Sequence, residues 1–195
     1  MKERPILFST PMVQAILQGR KTQTRRVVKM PDSAYNPYYS LDNKEFFYYK
    51  DGWGGNKLKC PYGQVGDVLW VRETWAYTMV QDETKLGYVY KADEYIENEV
   101  KWKPSIHMPK EACRLKLRIT NIRVERLQDI SPKDVVKEGI EGSDGHWKNY
   151  LNGGEELYRT DSFRTLWQSI NGEQSWDDNL WVWVIEFERL NTPNK

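Results

Sequence analysis

The sequence predicts an α+β protein, in which short helices and β-strands alternate within one domain. Three short segments carry the start and stop signals of helices, with apolar residues at helical spacing between them. Several other segments alternate apolar and polar residues, or are continuously apolar, as strands are. The 195 residues are enough for one domain with a hydrophobic core, and they contain no internal repeat.

The first predicted elements are an edge strand over residues 5–8 and a short helix after it. Thr10 can cap the free N–H groups of this helix, and Pro11 suits its first turn. Four apolar residues then recur at helical spacing and predict one buried face. Gly19 can adopt the left-handed conformation that commonly ends a helix.

The next predicted element is a strand over residues 21–28. Strand alternation divides its first six side chains between two faces, with Thr22, Thr24 and Arg26 on one and Lys21, Gln23 and Arg25 on the other. Lys21 and Thr24 can therefore meet only if Lys21 still lies in the turn after Gly19, or if a bulge interrupts the strand. We expect one of these two arrangements.

Three later strands complete the predicted sheet. Residues 68–71 predict a buried strand, and residues 181–187 predict a closing strand that is central to the sheet. Residues 114–126 predict a long strand with one apolar and one basic face. The basic face is either an ordinary solvated surface or a phosphate-contacting one.

Two further helices are predicted in the C-terminal half. Ser131 is a cap followed by proline and, three residues on, by a carboxylate, and Gly139 ends this helix. Glu138 then lies in the last turn, where a negative charge opposes the helix dipole and is slightly unfavourable. Asp161 is the expected cap of the last helix, with four apolar residues inward and Gly172 at its end.

Three stretches, near residues 30–63, 74–112 and 140–158, are interpreted as insertions into a single domain of residues 1–195. They are rich in proline, glycine or aromatic residues, and a hairpin turning at Asp51 and Gly52 is expected in the first. Aromatic rings can stack on bases or pack in the fold. Three of them are candidates for either role: Trp53, Trp75 and Tyr77.

The composition excludes several classes of function. The formal net charge is +1, so a nucleic-acid signal can come only from local clusters of cations. The sequence has no apolar run near the ~20 residues of a membrane helix and begins without a secretory signal, which predicts a cytoplasmic protein with no membrane partner. Cys60 and Cys113 lack CxxC spacing, so we expect no disulfide, metal or cofactor.

Residues 19–26 form the strongest candidate site. This octet contains four cations and two threonines and no acid: Gly19, Arg20, Lys21, Thr22, Gln23, Thr24, Arg25 and Arg26. A threonine hydroxyl becomes a useful nucleophile only beside a base, and a lysine becomes a base only when its pKa falls. The neighbouring arginines are expected to lower the pKa of Lys21.

The motif Gly-x-Lys-x-x-x-x-Arg of residues 19–26 resembles the signature of the ASCH domain family, a branch of the PUA-like superfamily. Residues 66–69, 131–139 and 184–187 occur in the same order in that family. The resemblance covers roughly half of the chain and implies a small mixed β-barrel with short helices at its mouth. It also implies a protein that handles RNA or nucleosides, and the insertions resemble those of phage-encoded members.

Thr24 replaces an acid of the common family pattern, which makes the octet similar to that of the small bacterial 4-acetylcytidine amidohydrolases. In that subset a lysine accepts a proton, a threonine is the nucleophile and a glutamate donates a proton. The resemblance assigns these roles to Lys21, Thr24 and Glu138. The other polar residues of the octet are expected to bind substrate or phosphate: Arg20, Thr22, Arg25 and Arg26.

The sequence is compatible with two functions from different classes. The chain is either an amide hydrolase of an acylated cytidine or a non-catalytic RNA- or DNA-binding module, with ribonuclease activity as a third possibility. Glu138 is either a proton donor or a solvated helix end, and Glu73 is a competing acid that could instead pair with an arginine. The sequence makes no prediction of an oligomeric state.

Overall fold

A computed structural model of the chain describes residues 1–31, 35–40, 45–50, 55–79, 86–93, 100–143 and 145–190. The α-helices are α1 (Thr10–Leu17), α2 (Pro132–Lys137) and α3 (Arg159–Asn171). The strands are β1 (Glu3–Leu7), β2 (Gln23–Val27), β3 (Tyr35–Ser40), β4 (Glu45–Tyr49), β5 (Gly55–Leu58), β6 (Val68–Arg72), β7 (Trp75–Met79), β8 (Leu86–Tyr90), β9 (Lys116–Arg126), β10 (Gly142–Ser143), β11 (His146–Lys148), β12 (Glu155–Glu156) and β13 (Trp181–Leu190). The fold is therefore α+β, as the sequence predicts.

Five strands form the main sheet, in the order β1-β6-β9-β13-β2. β1 and β6 are parallel, whereas the other neighbouring strands are antiparallel. β13 lies between β9 and β2, which confirms its predicted inner position. β1 and β2 are the edges of this sheet, and over the described ranges no pairing between them closes it into a barrel.

The core is built on one face of the inner strands. Leu115, Leu117 and Ile119 are all buried, as the alternation of this stretch predicts. They pack with side chains of α1 and β13, such as Val13 and Val184. No helix in the described part of the chain combines the length and apolar character needed to cross a membrane.

The basic face of β9 is occupied by ion pairs within the protein. Arg114 pairs with Glu73, and it also pairs with Asp93. The next two cations along this face, Lys116 and Arg118, pair with Glu3 and Glu188. These partners support the solvated-surface interpretation, because a cation already bound to a carboxylate gains less from a phosphate.

Three of the predicted helix signals are confirmed. The φ angle of Gly19 is +75°, in the left-handed region, just after the end of α1. The hydroxyl of Ser131 accepts a hydrogen bond from the N–H of Asp134 at 3.1 Å and caps α2. Gly139 also has a positive φ, of 83°, and ends that helix.

Other predicted helix details are wrong. Thr10 is the first residue of α1, and Ser9 occupies the cap position without a capping side-chain bond. Asp161 lies inside the first turn of α3, because the helix begins earlier and its cap position is Tyr158. Ile170 is 61% exposed rather than inward. Each helix is held by packing of its apolar face, which outweighs a cap of about 1 kcal/mol.

The insertions contain more strands than the sequence predicts. β3, β4 and β5 form a three-stranded sheet, although Asp51, Gly52 and Trp53 lie outside the described residues. β7 and β8 form a hairpin in a stretch expected to be mostly irregular, and β10, β11 and β12 form a small sheet in the stretch expected to be a loop. Backbone pairing produces these strands where side-chain periodicity is weak.

Candidate functional site

A cavity of about 160 Å³ lies at the β2 edge of the main sheet. Its wall includes Lys21 and Thr24 from the octet and Glu138 from the end of α2. The other lining residues come from β2, from α3 and from the start of the chain through α1: Leu7, Phe8, Ser9, Met12, Arg25, Arg26, Val27, Phe163, Leu166, Trp167, Ile170 and Asn171. Because β2 is an edge strand, residues from both of its faces reach this cavity.

The end of α1 determines the position of Lys21. The backbone N–H of Lys21 donates to the carbonyl of Ala15 at 3.0 Å, and the N–H of Thr22 donates to the carbonyl of Lys137 at 2.9 Å. β2 starts only at Gln23, two residues later than expected, and Lys21 instead forms an isolated bridge with Glu138. Lys21 therefore lies in the turn before the strand, which is one of the two predicted arrangements.

Gly139 lets α2 approach this turn closely. A Cβ atom at position 139 would lie 2.8 Å from the Cβ of Lys21 and 3.0 Å from the Cβ of Ala15. The first distance is shorter than real Cβ atoms show and the second is tighter than most of their contacts, and the positive φ is also unfavourable for other residues. The glycine therefore contributes to the site by bringing Glu138 next to Lys21.

Lys21 and Glu138 form a buried pair. The Nζ of Lys21 lies 3.0 Å from Oε2 of Glu138 and donates to the Glu138 carbonyl oxygen at 2.8 Å. Both residues are 3% exposed. Burial lowers the pKa of Lys21 below its ordinary value of 10.5, Glu138 opposes that change, and Arg26 and Arg25 lower the pKa further. Burial, rather than the arginines, is thus the main cause of the predicted shift.

Arg25 links the cavity to a chain of alternating charges. Its Nη1 donates to Oε1 of Glu138 at 2.8 Å and its Nη2 donates to Glu125. Arg123 in turn lies 3.0 Å from Glu125 and 2.8 Å from Asp134. Both ends of the Arg25 guanidinium are therefore held by carboxylates of the protein, so Arg25 positions Glu138.

The remaining cations of the octet are also bound to protein acceptors. Arg26 lines the cavity, and its Nη2 donates to the carbonyl of Leu7 at 2.6 Å. Arg20 is exposed, does not line the cavity and donates to the carbonyl of Gly139 and the side chain of Gln18. Thr22 is exposed and also lies outside the cavity lining. Of the four predicted binding residues, the structure brings only Arg25 and Arg26 to the cavity.

Thr24 is 4% exposed and lines the same cavity as Lys21. Its hydroxyl has no hydrogen-bond partner within the described residues. It is therefore available to a bound ligand. A threonine hydroxyl that shares a cavity with a buried amine meets one requirement of nucleophilic catalysis by threonine, which needs a base within reach.

The cavity wall combines aromatic rings with unpaired donors. Phe8 lies 5.2 Å from the Arg26 guanidinium, measured to the ring centroid, and Phe163 lies 5.8 Å from that of Arg25. Among the described residues, three buried donor atoms of the cavity lining have no hydrogen-bond partner, namely Nε of Arg25, Nε of Arg26 and Nε1 of Trp167. Unpaired buried donors favour a ligand that presents carbonyl or other acceptor oxygens.

The competing acid, Glu73, is not part of the cavity. Its two carboxylate oxygens accept hydrogen bonds from Arg114 at 3.0 and 2.9 Å. Burial raises the pKa of Glu73, and the bonds from Arg114 oppose that change. Trp75 and Tyr77 lie in the same region, where each ring packs against Tyr88.

Within the described ranges no three His, Cys, Asp or Glu side chains are grouped closely enough to hold a metal ion. Cys60 and Cys113 are both free thiols, and burial raises the pKa of Cys60 to about 11. A thiol with a raised pKa is a poor nucleophile at neutral pH. Neither cysteine lines the cavity, so the hydroxyl of Thr24 is the candidate nucleophile there.

Together, these features define an α+β protein with a buried Lys-Glu pair and a threonine hydroxyl in one small cavity. Comparison with protein-family models, curated proteins and solved structures gave no match. Assignment to the ASCH family is therefore a proposal that rests on the motif residues themselves.

Proposed function

We propose that this chain is an ASCH-type amide hydrolase that removes an acyl group from the exocyclic amine of a modified cytidine. The observation that carries the proposal is that Lys21, Thr24 and Glu138 are all buried and line one cavity, although Glu138 is far from the octet in sequence. We also propose that the fold is a PUA-like barrel, of which the five-stranded main sheet would be one part.

Lys21 is the base in this proposal. In the starting state the proton shared by the pair is on Glu138, so the neutral Lys21 amine has two N–H donors and one lone pair. The two N–H groups donate to the Glu138 backbone carbonyl and to Oε2 of its carboxylic acid. The lone pair is then left to accept the proton of the Thr24 hydroxyl. Burial favours this neutral form because it lowers the pKa of Lys21.

The reaction then proceeds in two halves. Thr24 Oγ1 bonds to the acyl carbon while its proton moves to Lys21, and the C–N bond breaks as Glu138 gives a proton to the departing amine. This leaves an acyl ester on Thr24 beside a Lys21 ammonium and a Glu138 carboxylate. A water molecule then hydrolyses the ester, with one proton returning to Thr24 from Lys21 and one going to Glu138, which restores the starting state.

The size and polarity of the cavity suit the acylated end of such a substrate. A volume of about 160 Å³ is below the ~300–1,000 Å³ of sites that enclose drug-sized ligands. The cavity therefore accommodates a base edge with a short acyl group rather than a polymer. The unpaired donors of Arg26 and Trp167 can bind the acyl oxygen and the negative charge that develops on it.

The alternative is a non-catalytic RNA- or DNA-binding module or a ribonuclease. The octet gives this alternative less support, because Lys21 and Arg25 are buried against Glu138 and Glu125, and Arg26 is bound to a backbone carbonyl. Arg20 is exposed, but it also donates to a backbone carbonyl. A phosphate would have to displace these partners. Binding of nucleic acid would thus require a different surface of the protein.

Incubation of the purified protein with 4-acetylcytidine tests the proposal, with release of cytidine followed by chromatography. We expect turnover by the wild type and none by Lys21→Met, which removes the base but keeps a side chain of similar length. Single-stranded RNA incubated in parallel tests for ribonuclease activity. Cleavage of the RNA without release of cytidine would refute the hydrolase proposal in favour of the ribonuclease.

A further inference from the structure

A second concave surface, distinct from the cavity, lies beside the inserted sheet of β3, β4 and β5. It is a groove of about 740 Å³ that shares no lining residue with the cavity. Its lining comes from β4 and β5, from the segment between β5 and β6, and from the first residues of the chain. Residues 120–123 of β9 and Trp183 complete its lining. The groove is therefore built partly from an insertion.

Cations outnumber acids in this groove. Five basic residues line it, against two acidic ones, Glu45 and Asp67: the five are Lys2, Arg4, Lys57, Lys59 and Arg123. Glu45 is paired with Lys57. The Asp67 carboxylate is buried, lies near Arg4 and accepts hydrogen bonds from two backbone N–H groups.

Three of the five cations make no salt bridge in the described part of the chain. Arg123 is bound to three carboxylates, whereas Lys2, Arg4 and Lys59 form neither a salt bridge nor a side-chain hydrogen bond there. The Nε of Arg4 is buried and has no hydrogen-bond partner among the residues that the structure describes. An unpaired buried donor beside two exposed ammonium groups favours a ligand with several negative charges.

An aromatic pair lies outside the groove lining, on the same face of the inserted sheet as the groove residue Lys57. The ring of Tyr38 stacks on that of Phe47, with centroids 5.5 Å apart and planes 17° from parallel. Phe47 is directly opposite Lys57 in the pairing of β4 with β5, so the two side chains share one face of the inserted sheet. Tyr38 is 39% exposed, which leaves part of its ring open to a flat ligand.

We propose that this groove binds a single-stranded nucleic acid, with its phosphates at Lys2, Arg4 and Lys59 and a base stacked on Tyr38. Cationic grooves flanked by aromatic rings are the usual means of binding single strands without sequence preference. An acidic peptide would use the cations but not the ring, so the Tyr38–Phe47 pair favours a nucleic acid. The inference does not depend on catalysis, because the groove and the cavity share no lining residue.

Fluorescence anisotropy with a labelled single-stranded oligouridine tests this inference across a range of salt concentrations. Neutralisation of three phosphates predicts that log K falls with log salt at a slope of about −2. Charge reversal in the double variant Lys2→Glu, Lys59→Glu should weaken binding at least tenfold and flatten the slope to about −0.7. Lys91→Glu is the matched control, because Lys91 is exposed and lies outside the groove lining.

A second variant separates stacking from charge. Tyr38→Leu keeps an apolar side chain on the inserted sheet but removes the ring, and it should weaken binding roughly tenfold with an unchanged salt slope. Equal weakening by Lys91→Glu and by the double variant would overturn the proposal, as would absence of binding at low salt. Equal affinity for a polyglutamate peptide would show that the groove recognises acidic chains in general and would also overturn it. Failure to hydrolyse 4-acetylcytidine would affect only the proposed function.

Discussion

The cavity and the groove use cations in opposite ways. In the cavity, Lys21 and Arg25 are buried, and both are bound to Glu138. In the groove, Lys2 and Lys59 are exposed, and neither forms a salt bridge within the described ranges. The octet that concentrates the positive charge in the sequence is thus the place where that charge is least available to a partner.

The two kinds of cation serve different purposes: paired, buried cations fix the geometry of a site, whereas exposed, unpaired cations attract a charged ligand. A buried cation held by carboxylates has a defined position, which a proton transfer needs, but it has little attraction left for a distant anion. Exposed, unpaired cations attract polyanions over a longer range and in a salt-dependent way. Local density of basic residues in a sequence does not distinguish these two uses.

Loss of the nucleophile is expected to have the largest effect. Thr24→Ala removes the hydroxyl that forms the acyl ester, so hydrolysis of 4-acetylcytidine should fall by more than the ~10²–10⁴ typical of an acid or base residue. Thr22→Ala is the matched control, since the structure places this neighbouring threonine outside the cavity. Steady-state kinetics measures the hydrolysis rate of both variants. If both lost the same share of activity, Thr24 would not be the nucleophile.

Loss of Arg25 in the cavity should destabilise the protein much more than loss of Lys59 in the groove. Arg25→Met leaves Glu138 and Glu125 without their shared cation in a buried site, which should lower the free energy of unfolding by about 3–5 kcal/mol. The same substitution at exposed Lys59 should change it by less than about 0.5 kcal/mol. Denaturant unfolding measures both values, and similar values would contradict the contrast between the two sites.

The pH dependence should identify the base. The pKa of Lys21 is lowered in the fold, so the unfolded chain keeps this proton to higher pH than the native protein. Stability relative to Lys21→Met should therefore rise with pH between the native pKa and 10.5. Because the neutral amine is the base, kcat/KM should also rise with pH, by up to about tenfold per unit. An equally steep rise in Lys21→Arg, whose side chain stays charged, would exclude Lys21 as the titrating group.

The smallest predicted effect concerns the approach of α2 to Lys21. Gly139→Ala combines a positive φ with a contact of 2.8 Å to the Lys21 Cβ, and it should cost more than the ~1–2 kcal/mol of a left-handed alanine alone. Gly153→Ala is the control, because φ at Gly153 is +76° but its Cβ would meet nothing within 4 Å. Thermal unfolding compares the two variants, and equal destabilisation would mean that the close approach carries no cost.

The sequence predicted the features that depend on neighbouring residues. Gly19, Ser131 and Gly139 act through their own backbone or through a bond three residues away, so local rules were sufficient. The turn position of Lys21 was one of the two arrangements that the sequence left open. The same rules failed for Asp161, because the packing of α3 determines where that helix begins.

Glu125 was missed because its role depends on strand order. β13 separates β9 from β2, and Arg25 and Arg123 both lie opposite Val184 in the register of the sheet. Only this register brings Arg25 within reach of Glu125. The sequence contains one relevant signal, the i, i+2 spacing of Arg123 and Glu125 on one face of β9, but no local pattern reveals the partner two strands away.

The most direct test of the central claim is detection of an acyl ester on Thr24. Wild-type protein mixed with 4-acetylcytidine, quenched in acid within one turnover and digested, should yield a Thr24 peptide heavier by one acetyl group. Thr24→Ala should give neither the adduct nor free cytidine. Release of cytidine at an undiminished rate by Thr24→Ala would contradict the account, because the hydroxyl beside Lys21 and Glu138 would then have no part in the reaction.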